Sequence, residues 1–162
     1  MKNYIRYIVA GLAACLCLGG CSTDRKQESV KLDPDHPVTV TIWHYYNGTQ
    51  LEALNELIQE FNETEGKKQG IVVEGISQGN VSSLQKAVLD AAEHKAGTGS
   101  MPSIFAAYAD TAYEVDQLGY AADLSSYFTE EELAEYVDEY IEEGKFSENG
   151  ELKIFPTAKS TE

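Results

Sequence analysis

Three short stretches hold residue types that could do chemistry: Trp43-His44-Tyr45-Tyr46-Asn47-Gly48, Ser77-Gln78-Gly79-Asn80 and Tyr108-Ala109-Asp110. They offer aromatic faces, side-chain amides and one carboxylate. Aromatic rings pack against the apolar C–H faces of a sugar ring, while amides and carboxylates satisfy its hydroxyls. The set suits a polar, uncharged, ring-shaped ligand, with Trp43, His44, Tyr45, Tyr46, Gln78, Asn80, Tyr108 and Asp110 as candidate contacts. Aromatics at a strand end serve a core as readily as a ligand. Trp43 is assigned to the ligand because it comes last on an apolar strand and leads into side chains with polar tips. His44 is open to either a hydroxyl contact or a structural role.

Other chemistries lack their residues. His36, His44 and His94 are isolated, without metal-ligand spacing, so no metal is expected. No Gly-rich phosphate loop follows a strand and no Gly-x-Ser-x-Gly elbow is present, so no cofactor is expected either. Twelve Lys and Arg against 27 Asp and Glu give a net charge of −15. That balance excludes nucleic-acid binding through clustered cations and argues against a basic lipid-docking face. A glycoside hydrolase, the alternative enzyme reading, needs two carboxylates such as Asp110 and Glu162 at a defined separation, and no spacing defines that pair. The Asn-x-Ser/Thr patterns at Asn47, Asn62 and Asn80 imply no modification by themselves.

The elements that must position these residues begin after an export segment. Lys2 and Arg6 precede the apolar run Ile8–Leu18, too short for a bilayer span of about 20 residues and suited to a signal peptide. Leu18-Gly19-Gly20-Cys21 then resembles the bacterial lipobox, in which the Cys is lipidated and becomes the mature N-terminus. The three cysteines stand at 15, 17 and 21, so the mature chain would keep no thiol for a disulfide, metal or nucleophile. The expected organisation is a signal peptide over 1–20, a lipidated Cys and flexible tether over 21–37, and a domain over 38–162.

Within that domain, short apolar runs alternate with amphipathic segments. Val38–Trp43, Ile71–Ile76, Ser103–Ala107 and Glu151–Phe155 read as strands. Thr49 and Glu52 form a capping-box pattern before a helix whose Leu51, Leu54, Leu57, Ile58 and Phe61 share a face, with Gly66 as its terminator. A second helix starts near Asn80 or Ser82, and Asp110 is placed to cap a third that reaches Leu118. Thr129 and Glu132 repeat the capping box ahead of a helix to Gly144 with Leu133, Tyr136, Val137, Tyr140 and Ile141 inward. This order predicts an α/β fold, a mainly parallel sheet with helices on both faces. In such sheets ligands sit beyond the carboxyl ends of the strands, where the three candidate stretches fall.

The lipobox, the tether, Val38–Gly48 and the helix Leu51–Phe61 together resemble family 1 extracellular solute-binding proteins. Met101-Pro102-Ser103-Ile104-Phe105-Ala106-Ala107-Tyr108 is similar to that family's third strand, with Ser103 in place of the common acid. Asp123-Leu124 and Gly150–Pro156 match two further stretches, and Ser160-Thr161-Glu162 resembles the start of the passage to a second lobe. The resemblance implies a periplasmic-binding-protein-like lobe whose second lobe is absent from this chain. It implies a membrane-anchored, extracytoplasmic component of an ABC importer that binds a carbohydrate, an oligosaccharide, and delivers it to permease subunits. It also adds Glu162 to the ligand contacts. The alternative is a truncated fragment of such a protein that binds nothing.

Overall fold

A computed structural model describes residues 31–157. The signal segment, Cys21 and Glu162 lie outside the described residues. The elements are β1 (Val38–His44), α1 (Gly48–Glu63), α2 (Glu65–Gln69), β2 (Ile71–Ser77), α3 (Val81–Ala92), β3 (Ile104–Phe105), α4 (Ala109–Gln117), a 3-10 turn at Ser125–Tyr127, α5 (Glu130–Leu133) and α6 (Asp138–Glu143). The strands form one parallel sheet in the order β2-β1-β3, with Trp43 paired to Ile76 on one side and Phe105 on the other. This is the expected α/β class.

Strand β1 is central, so alternate side chains meet helices on opposite faces. Trp43 and Phe105 face α3 and α4, where Leu84, Val88 and Val115 form the buried cluster. His44 faces the α1 side, near Gly75 and Ile58. The sequence reading ended β1 at Trp43; the ladder runs one residue further, and Gln78 N–H extends it by donating to His44 O at 2.8 Å. Trp43 therefore lies inside the sheet, its carbonyl accepting from Ala106 N–H at 2.9 Å.

Four other boundaries are corrected. Helix α1 starts at Gly48 with Asn47 as N-cap and no side-chain capping bond, so the Thr49 capping box does not form. Gly66 does not end a helix. It is buried within α2, where a Cβ would meet the Ile71 carbonyl oxygen at 2.5 Å and Phe61 at 3.0 Å, and the terminator is Gly70 with φ +77°. Asp110 lies in the first turn of α4, whose N-cap is Tyr108. The helix expected over 130–143 is split into α5 and α6, with Val137 in extended conformation. Tyr136 and Val137 are consequently exposed and only Ile141 is buried. The Thr129–Glu132 capping box does form, with Thr129 N–H donating to Glu132 Oε2 at 2.8 Å and Glu132 N–H to Thr129 Oγ1 at 3.2 Å.

Residues 151–155 join no sheet among the described residues, against the expectation of a fourth strand. The segment docks on loops instead. Leu124 N–H donates to Leu152 O at 2.7 Å, Leu152 N–H to Ser125 Oγ at 3.0 Å, and Lys153 N–H to Gly144 O at 2.8 Å. Leu152 is fully buried, and Phe155 stacks on Phe128 with ring centroids 4.4 Å apart. The Lys153 side chain is 9% exposed, and its ammonium reaches Glu151 at 3.0 Å and Asp116 at 3.2 Å. Burial alone would lower its pKa, but these two carboxylates outweigh burial and raise it.

Candidate functional site

The carboxyl ends of β1 and β3 carry an aromatic group of three tyrosines. Tyr45 follows the alternation of β1 onto the α3 side and packs, partly buried, against the Leu84–Val88–Val115 cluster. Tyr46 lies beside it, ring centroids 5.2 Å apart and tilted by 50°. Tyr108 leads into α4 and is 55% exposed. Burial raises the Tyr45 pKa, with further contributions from the neighbouring Tyr108 and Tyr46 phenols and a side-chain hydrogen bond to Tyr108. A phenol O–H both donates and accepts, which suits hydroxyl groups.

Two of the expected ligand residues belong to the interior. His44 is 1% exposed, so it cannot reach a ligand. Its Nδ1 accepts from Tyr46 N–H at 3.2 Å and its ring stacks on Tyr46 at 5.6 Å, which supports the aromatic group from below. Burial lowers the His44 pKa and favours the neutral ring that this bond requires. Trp43, partly buried, packs against Leu84, Val88 and Val115, so its ring is a core contact.

The remaining candidates sit on the rim. Gln78 is half-buried at the end of β2. Asn80 is exposed and caps α3 through Oδ1, which accepts from Ser83 N–H at 2.9 Å. Asp110 is exposed, and its Oδ1 accepts from Thr111 N–H at 2.7 Å. Sequence reasoning missed Gln85 and Thr111, which line a shallow depression with Tyr45, Val81 and Tyr108. Gln85 reads as an ordinary polar-face residue of an amphipathic helix, so only the packing of α3 reveals it. A wider hollow on the outer side of α3 is lined by charges that pair with each other: Asp90 bonds Lys86 and, at 2.7 Å, Lys95. Among the described residues no group of three or more His, Cys, Asp or Glu could hold a metal.

No protein-family model matches the chain, and no curated protein matches it by sequence. Solved structures do. One is the cyclic α-maltosyl-1,6-maltose binding protein from Arthrobacter globiformis, at 20% identity and TM-score 0.57 over 72% of this chain and 27% of that one. Another is the Thermus thermophilus maltotriose binding protein bound with maltotriose, at 22% identity and TM-score 0.56 over 70% of this chain and 28% of that one. The chain spans little more than a quarter of either neighbour, and at these identities the likeness speaks to fold. The architecture is that of one lobe of a periplasmic-binding-protein-like fold.

Proposed function

We propose that the chain forms one wall of a carbohydrate site in the solute-binding component of an ABC importer. In this reading lipid on Cys21 holds it at the extracytoplasmic face of the cell membrane, and an oligosaccharide passes from it to the permease subunits. One observation carries the reading: Tyr45, Tyr46 and Tyr108 gather at the carboxyl ends of β1 and β3, on a fold shared with two sugar-binding proteins. Tyr108 supplies an exposed ring for stacking. Tyr45 and Gln85 supply hydroxyl and amide groups in the depression beside it. Gln78, Asn80 and Asp110 are the rim contacts, and Glu162 is kept as a contact from the resemblance alone.

A wall of this kind binds weakly by itself, because burial of a ligand between two walls is roughly halved when one is present. The reading is tested by a thermal-shift screen of oligosaccharides at millimolar concentration, since a ligand of the native state raises Tm. A concentration-dependent rise with one oligosaccharide class, lost in Tyr108→Ala, is expected. A chromogenic glycoside should release no chromophore. Absence of any shift across the panel, or turnover of the glycoside, contradicts the reading.

A further inference from the structure

Asn47 stands at the N-cap of α1, where an asparagine side chain ordinarily accepts from free helical N–H groups. Here it makes no such bond. Its Nδ2 donates instead to Tyr45 O at 2.9 Å and to Gly79 O at 3.1 Å. The side chain thus crosses from the loop after β1 to the loop after β2. Those loops carry Tyr45 and Tyr46 on one side and Gln78 and Asn80 on the other. The backbone ladder between the strands ends where Gln78 N–H meets His44 O, so Asn47 is the tie beyond the last rung. Gly79, at φ +86°, turns the second loop in the left-handed region there.

We propose that Asn47 is a positioning residue for the tyrosine wall, an inference that rests on the carbohydrate reading. Its amide forgoes the helix cap and joins the Tyr45 carbonyl to the β2–α3 loop. This sets the direction in which the Tyr45 and Tyr46 rings are presented and their spacing from Gln78 and Asn80. The chemistry required is a donor on a side chain of this length. Asp caps helices as well as Asn but has no donor, and Ser caps well but is shorter.

The test compares Asn47→Asp, Asn47→Ser and Asn47→Gln in the full chain. Amide hydrogen exchange is followed at residues 45–48 and 78–80, and affinity is titrated with maltotriose and a panel of other oligosaccharides. Asn47→Asp and Asn47→Ser should speed exchange in both loops while leaving α1 protected. Each should weaken the wild type's preferred oligosaccharide by about tenfold, the scale of one or two lost hydrogen bonds. Asn47→Gln, which keeps the donor, should recover part of both effects. Wild-type exchange in both loops, or loss of protection along α1 instead, overturns the proposal and returns Asn47 to a helix cap. Faster loop exchange with full affinity also overturns the positioning role. Failure of the wild type to bind any oligosaccharide removes the carbohydrate reading itself, a result distinct from normal wild-type binding with unaffected variants.

Discussion

At His44, burial holds the imidazole below its usual range, so folding stability must depend on pH. The unfolded chain takes up a proton as pH falls through about 6.5, while the folded chain resists until a lower pH. Stability from this site is therefore complete above pH 6.5 and is lost progressively below it. Protonation would also remove the Nδ1 lone pair that accepts from Tyr46 N–H. Urea unfolding at pH 7.5, 6.5 and 5.5 should show a falling midpoint whose slope flattens in His44→Gln; equal slopes would contradict the assignment. Trp43→Ala should cost about 3 kcal/mol, as large-to-small changes against a core do, measured by the same unfolding. A loss below 1 kcal/mol would return Trp43 to the ligand face. The residue types in Trp43–Asn47 announced a ligand wall, but the strand's length decides which of them reach it. One extra rung moves Trp43 and His44 into the sheet and leaves Tyr45 and Tyr46 at its rim. Alternation alone does not tell where a ladder stops.

Among the elements, β2 shows how an edge is covered. Asn62 on α1 accepts from Val73 N–H at 2.7 Å and donates to Val73 O at 2.9 Å, so one amide stands in for a neighbouring strand. Asn62→Ala should destabilise the fold by about 1–3 kcal/mol, because two partly buried backbone groups lose their partners. It should also promote self-association through the bared edge, visible by light scattering. A neutral, monomeric variant would contradict this. The strands β1 and β2 and helices α1 and α3 were legible because β-branched runs and helical apolar spacing are local signals. The segment after Gly119 was not. Its capping box at Thr129 formed as read, yet the helix it opens stops at Leu133 and a second begins at Asp138, with Val137 extended between them. Residues 151–155 carry a strand's composition, but bonds from Ser125, Leu124 and Gly144 hold them as a docked loop. Such partners are distant in sequence and leave no periodic trace.

For the whole molecule, two claims stand beyond the fold. The first is the membrane tether. Cys21→Ser should release the protein into the soluble fraction of cells that retain the wild type on membranes, because a diacyl anchor holds where an unmodified chain does not. Equal retention of both forms would contradict lipidation. The second is the carbohydrate wall, and it is tested most directly by following the tyrosine rings by NMR as maltotriose and other oligosaccharides are titrated into the protein. Tyr127 and Tyr136, exposed and remote in sequence from the strand ends, serve as internal controls. The account predicts saturable shifts of the Tyr45, Tyr46 and Tyr108 ring signals with at least one oligosaccharide, and none at the two controls. Uniform shifts across all five rings, or no movement of the three wall tyrosines with any sugar, would contradict it.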